Sequence, residues 1–165
     1  MQFGKAFGQH VTVISRSDKK KDMALNELGA DEFLVSKDED AMAGAAMSLD
    51  AIIDTVAAKH DLNEYLNLLT IDGKLISVGA PAEPLEVGMF NLLGKRRMIG
   101  GSLIGGIKET QEMLDFCADN DISCTCEVID ADYMNKAFDR MEAGDVHFRF
   151  VIDTLKSMVA EPKEA

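Results

Sequence analysis

The sequence predicts an α/β domain built on a mainly parallel sheet, and three observations carry that expectation. Short β-branched or apolar runs alternate with stretches of helical periodicity almost from the first residue. Glycines stand where helices should stop, at Gly8, Gly29, Gly73 and Gly144. One run, residues 51–56, is apolar at consecutive positions, as a strand covered on both faces reads.

In chain order, residues 1–7 predict the end of a helix, with Gly8 as its stop, and Val11-Thr12-Val13-Ile14-Ser15 predicts a strand. Residues 19–28 favour helix, Ala24 and Leu28 falling on one face, and Gly29 ends it. Phe33-Leu34-Val35-Ser36 reads as a strand, residues 38–47 as a helix rich in alanine and methionine, and 51–56 as the central strand. Leu62, Leu66 and Leu69 recur at helical spacing up to Gly73, and a strand follows at 74–79. A turn at Pro81 and Pro84 leads to a short helix at 87–93 and a strand at 98–102. Residues 109–118 predict a helix with Met113, Leu114 and Cys117 on one stripe, and 124–129 a strand. Tyr133, Met134, Ala137, Phe138 and Met141 mark an amphipathic helix ended by Gly144, and 148–152 is the last strand. Without repeats or linkers, residues 1–154 read as one domain and 155–165 as a polar tail.

At 165 residues the chain has room for one domain with a sizeable core. No apolar run approaches the roughly 18 residues that span a bilayer, and the N-terminus has no signal-peptide pattern, so no membrane role and a cytoplasmic location are expected. A net charge of −12 argues against nucleic acid as a partner. The cations cluster, however, at Arg16, Lys19, Lys20 and Lys21 and again at Lys95, Arg96 and Arg97, a distribution that suits a small anionic ligand. Cys117, Cys124 and Cys126 make neither a disulfide framework nor a zinc set; the alternation of Cys124 and Cys126 suits one face of a buried strand. His10, His60 and His147 share no obvious partner, and Asp38-Glu39-Asp40 reads as a solvated helix start. No catalytic or metal-binding residue is singled out.

Ligands of doubly wound sheets bind beyond the carboxyl ends of the strands, so the residues that follow each strand hold the candidates. After the first comes Ser15-Arg16-Ser17-Asp18-Lys19-Lys20-Lys21. NAD-binding versions of the fold place a carboxylate at such a strand end to hold the ribose 2′-hydroxyl. Here two hydroxyls, an arginine and a lysine run stand there, the chemistry that cages a 2′-phosphate, with Asp18 as helix cap or repulsive neighbour. The alternative is a solvated, basic helix start, which would oppose the helix dipole. After the next strands come Asp54-Thr55-Val56, then Val78-Gly79-Ala80-Pro81, then Gly100-Gly101-Ser102-Leu103-Ile104-Gly105-Gly106. Thr55 could meet a ribose or bond backbone. Gly79 allows close approach by a flat ligand or makes a simple turn. The glycine-rich segment sets backbone donors beside an apolar pair, which suits a nicotinamide.

These residues resemble the cofactor domain of the cinnamyl alcohol dehydrogenase-like branch of the medium-chain, zinc-dependent alcohol dehydrogenases. The resemblance is carried by residues 11–21, Leu28-Gly29-Ala30-Asp31, Ile53-Asp54-Thr55-Val56, Asp72-Gly73-Lys74-Leu75, residues 78–81, Arg149-Phe150-Val151-Ile152-Asp153 and, most specifically, residues 101–117. It implies a Rossmann-like fold binding NADP(H). Ser15, Arg16, Ser17 and Lys20 would hold the 2′-phosphate, Thr55, Val56, Val78, Gly79 and Ala80 would line the groove, and Ser102, Leu103 and Ile104 would lie along the nicotinamide. Complete enzymes of the group reduce aryl or aliphatic aldehydes with NADPH, or run the reverse, with zinc polarising the carbonyl. They pair cofactor domains edge to edge, which points to residues 98–106 as a homodimer surface.

Against that family the sequence has no zinc ligands, no first strand of the sheet and no glycine-rich pyrophosphate turn. In the order 3-2-1-4-5-6 the first strand is central, so strands 11–15 and 51–56 are expected to flank a gap. Three readings stay open: a portion of an NADP-dependent alcohol dehydrogenase, a non-catalytic module that binds NADP(H) or a partner protein, and one chain of a split enzyme completed by a zinc-binding domain or chain.

Overall fold

The computed structural model describes residues 1–146 and 148–159, without the side chains of 158 and 159. Tertiary contacts divide the chain into two compact units, Met1–Leu114 and Asp115–Ala165.

The first unit opens with helix α1 (Gln2–Ala6), ended by Gly8 at φ +72°, a left-handed position natural to glycine. Strand β1 (Thr12–Ser15) leads into a 3₁₀ turn at Asp18–Lys20 and a wide π-turn at Met23–Glu27, where the Leu28 N–H reaches back to the Met23 carbonyl at 3.0 Å. Strand β2 (Glu32–Val35) pairs parallel with β1, from Thr12 opposite Glu32 to Ser15 opposite Val35. Helix α2 (Glu39–Gly44) is capped by the Asp38 carboxylate, which accepts from the Ala41 N–H at 2.9 Å. Strand β3 (Leu49–Asp54), helix α3 (Leu62–Leu68), strand β4 (Leu69–Ser77), helix α4 (Met89–Leu93) and strand β5 (Met98–Gly101) complete the winding.

All pairings are parallel: β1 with β2 in one sheet, and β3-β4-β5 in another. This is the predicted Rossmann-like α/β pattern. Among the described residues no strand joins β1 to β3, so each stands at a sheet edge, as expected of strands flanking a missing one. The core is Leu34, Ile52, Leu62, Leu66, Leu68, Leu69 and Leu75. Burying each such side chain contributes about 1.5–3 kcal/mol.

Helix α5 (Ile107–Asp119) precedes the second unit's strand β6 (Glu127–Ile129), helix α6 (Met134–Glu142), strand β7 (Phe150–Ile152) and helix α7 (Thr154–Val159); β6 and β7 pair parallel. Arg140 ties this unit together. Its guanidinium donates to both Glu127 oxygens at 2.8 and 3.0 Å and to Asp145 at 2.9 Å, over the Phe150 ring. These hydrogen bonds, Glu127 first, raise its pKa further.

Several expectations are corrected. Gly73 does not stop a helix: α3 ends at Leu68, and Leu69 turns into β4, where a Cβ on Gly73 would lie 2.8 Å from that of Leu69. Residues 51–56 are not covered on both faces, for Ile53 is 62% exposed while Ile52 is buried. The strand expected at 124–129 begins only at Glu127, and Cys124 and Cys126 are exposed rather than on a buried face. Met113, Leu114, Phe138 and Met141 form their helices but remain exposed. The segment read as a polar tail opens as α7; residues 160–165 and His147 lie outside the described residues. Among the described residues no helix is long and apolar enough to cross a membrane.

Candidate functional site

At the carboxyl end of β1 the chain turns through Ser15, Arg16 and Ser17 into the Asp18–Lys20 turn. Arg16, Lys19, Lys20 and Lys21 are exposed, and among the described residues none of their side chains donates a hydrogen bond or meets a carboxylate. The Ser15 and Ser17 hydroxyls are half-buried and equally uncommitted, and Ser17 caps no backbone N–H. Main-chain bonding fixes the turn, the Ser15 carbonyl accepting from the Ser36 N–H at 2.8 Å. Unpaired cations and hydroxyls thus gather at one strand end, with Asp18 the sole carboxylate in residues 15–21.

The ends of β3, β4 and β5 are stitched to one another. The Asp54 carbonyl accepts from the N–H groups of Val78 (2.8 Å) and Gly79 (3.1 Å), and the Ser77 carbonyl from that of Ser102 (3.1 Å). The Ser77 hydroxyl donates to the Gly79 carbonyl at 3.1 Å. A Cβ at Gly79 would lie 2.5 Å from the Val56 carbonyl oxygen and 2.8 Å from the Thr55 carbonyl carbon. The glycine is therefore required by the neighbouring backbone itself, whatever ligand comes near. Thr55, Val56, Val78 and Ala80 are exposed above this junction, and among the described residues the Thr55 hydroxyl has no hydrogen-bond partner. Ser102 is exposed, and beyond it Leu103 and Ile104 are 87% and 93% exposed. Glu109 accepts from the Gly106 N–H at 2.8 Å, so that donor is already used.

The twelve candidates thus fall into two sets: Ser15, Arg16, Ser17 and Lys20 on the two-stranded sheet, and the other eight together on the three-stranded one. A cavity of about 550 Å³ lies elsewhere, between α2 and α3, with Glu39, Glu64, Lys95 and Arg97 in its wall and none of the twelve. The second cation cluster serves the fold. Arg97 is 7% exposed and donates to the carbonyls of Leu69, Asn91 and Asn67, and Arg96 pairs with Asp72.

Sequence reasoning missed one pair. Asp54 is buried at the end of β3, its Oδ1 accepting from the Val56 N–H at 3.0 Å. Its Oδ2 has no hydrogen bond of good geometry but faces His60 Nε2 at 3.2 Å, while His60 Nδ1 lies 2.8 Å from the Ala58 carbonyl. The available signal was a carboxylate ending an apolar run. Among the described residues no three His, Cys, Asp or Glu side chains converge as metal ligands.

A family model described as zinc-binding dehydrogenase matches residues 1–119. Mannitol dehydrogenase of Petroselinum crispum is 53% identical over 98% of this chain and 48% of its own length. Cinnamyl alcohol dehydrogenase 2 of Rauvolfia serpentina is 56% identical over 95% of this chain and 44% of its own. A solved cinnamyl alcohol dehydrogenase of Sorghum bicolor superposes with a TM-score of 0.90 at 44% identity, over 98% of this chain and 46% of that one. The structure of CAD from Helicobacter pylori complexed with NADP(H) gives 0.80 at 35% identity, over 94% and 44%. The chain spans about half the length of the curated relatives it matches. Sequence pattern, parallel topology and these matches agree that the chain belongs to the zinc-binding dehydrogenase family, in its cinnamyl alcohol dehydrogenase-like branch.

Proposed function

We propose that this chain supplies the NADP(H)-binding portion of a cytoplasmic alcohol dehydrogenase or aldehyde reductase. The observation that carries the reading is the set of unpaired cations and hydroxyls at the end of β1. A 2′-phosphate with close to two negative charges would take charge-assisted hydrogen bonds from Arg16 and Lys20 and further ones from Ser15 and Ser17. Thr55, Val56, Val78, Gly79 and Ala80 would line the groove, Thr55 offering a free hydroxyl. Leu103 and Ile104 would keep water from the nicotinamide end, with Ser102 beside them. Bound NADPH would supply a hydride to an aryl or aliphatic aldehyde in the complete enzyme. The described residues do not fit a zinc site, so the ligands of the metal would come from a further domain or chain. Homodimerisation along the β5 edge and residues 98–106 belongs to the same reading, since Met98, Leu103 and Ile104 are exposed there.

Calorimetric titration with NADPH and NADH tests the proposal. Tighter NADPH binding is expected, and equal affinities would sink the assignment of Arg16 and Lys20. Light scattering at micromolar concentration tests the dimer, a monomer counting against it.

A further inference from the structure

We propose that His60 is a positioning residue, which holds the turn carrying Thr55 and Val56 by bridging the Asp54 carboxylate to the Ala58 carbonyl. Its bearing on cofactor affinity rests on the function proposed above; the positioning itself does not.

The Asp54 side chain is 6% exposed and that of His60 12%. Leaving a buried carboxylate oxygen without a donor is strongly unfavourable, and among the described residues the group facing Oδ2 is His60 Nε2, at 3.2 Å. The other ring nitrogen, Nδ1, faces the Ala58 carbonyl oxygen at 2.8 Å. Both facing atoms accept. A ring nitrogen that carries hydrogen can donate to the oxygen it faces, so one ring spans the two acceptors. Tyr65 packs edge-on against the imidazole, with ring centroids 5.6 Å apart, and fixes its plane. One side chain therefore closes the loop from residue 54 to residue 60 from within.

What it closes matters because Asp54 anchors two candidate groove segments at once. Its Oδ1 holds the Val56 N–H, and its carbonyl holds Val78 and Gly79. Among the described residues, the only other side-chain tether from this loop, Lys59 to Glu83, is exposed at both ends and weak. A rotation of Asp54 that sought another donor would release the N–H of Val56, whose carbonyl packs against Gly79 with no room for even a Cβ.

The test is amide hydrogen exchange on the chain with His60→Phe, which keeps the ring packing but removes both ring nitrogens, and with His60→Gln, which restores a side-chain donor. In His60→Phe, exchange at Val56 and Gly79 should rise about tenfold or more while Leu34 and Val35 in β2 keep their protection; His60→Gln should recover most of the difference. A rise shared by β2 would mark a general stability role and overturn the proposal, as would no change at Val56. Should His60→Phe fail to fold, the ring ¹⁵N spectrum of the unsubstituted chain decides: a pyridine-type Nε2 without hydrogen contradicts the bridge, and a protonated Nε2 correlated with Asp54 supports it. NADPH and NADH titrations run alongside separate the two readings. If neither nucleotide binds the unsubstituted chain yet Val56 protection still depends on His60, the proposed function falls and the positioning role stands.

Discussion

The chain carries two basic clusters of similar composition, and the structure sets them in opposite environments. Arg16, Lys19, Lys20 and Lys21 follow a parallel strand's carboxyl end, their side chains exposed and without partners among the described residues. Lys95, Arg96 and Arg97 follow α4 and precede β5, where Arg97 is buried under carbonyls and Arg96 is held by Asp72. The Arg97 acceptors lie at the C-terminal ends of α3 and within α4, where carbonyls left without helical donors carry partial negative charge. A guanidinium with five N–H donors satisfies several of them at once. Local charge density does not separate the two clusters. Position relative to strand ends and helix termini does.

The comparison breaks most visibly at Arg97. Arg97→Leu should lower stability by about 3 kcal/mol, because three carbonyls lose their donor in a buried place. In a chain of this size that is a fall of roughly 6–12 °C in Tm by calorimetry, whereas a shift under two degrees would remove the contrast. Arg16→Ala combined with Lys20→Ala should do the reverse. Stability should change by less than about 0.5 kcal/mol, while NADPH affinity falls about a hundredfold and NADH affinity holds. Loss of affinity for both nucleotides alike would mean that the cluster does not read the 2′-phosphate.

Gly79→Ala sharpens the same contrast at the other strand ends. Its Cβ would force the Val56 carbonyl aside, costing about 1–3 kcal/mol and weakening both nucleotides equally. The smallest effect belongs to Asp31, whose carboxyl is held below its ordinary 3.8, first by the hydrogen bond from Lys5 and then by the Val11 N–H. A lowered folded-state pKa contributes stability that is present above 3.8 and lost as pH falls through the lower value. Asp31→Asn should therefore flatten the acid limb of a stability-against-pH curve below about pH 4 and leave the rest unchanged.

The helix ends were legible where glycine takes a left-handed conformation, at Gly8, Gly29 and Gly144, because that demand is local. Gly73 misled because its role is spatial: it makes room beside Leu69 where helix gives way to strand, and a leucine at helical spacing looks the same in either. Ile53 misled for the converse reason, since an apolar residue in a run does not say whether its face is covered. Around the candidate site, the strand-end rule points from sequence alone to Ser15–Lys20 and to the residues that follow β3, β4 and β5. It could not show that Gly79 answers to Val56, or that His60 turns back on Asp54. Those are tertiary contacts closed by loops, with no period in the sequence to announce them.

The most direct test of the central claim is calorimetric titration of the unsubstituted chain and of Arg16→Ala with NADPH and with NADH. The account predicts that NADPH binds at least about tenfold tighter than NADH and that Arg16→Ala erases most of that preference. Equal affinity for the two nucleotides in the unsubstituted chain, or a preference that survives the substitution, would contradict it.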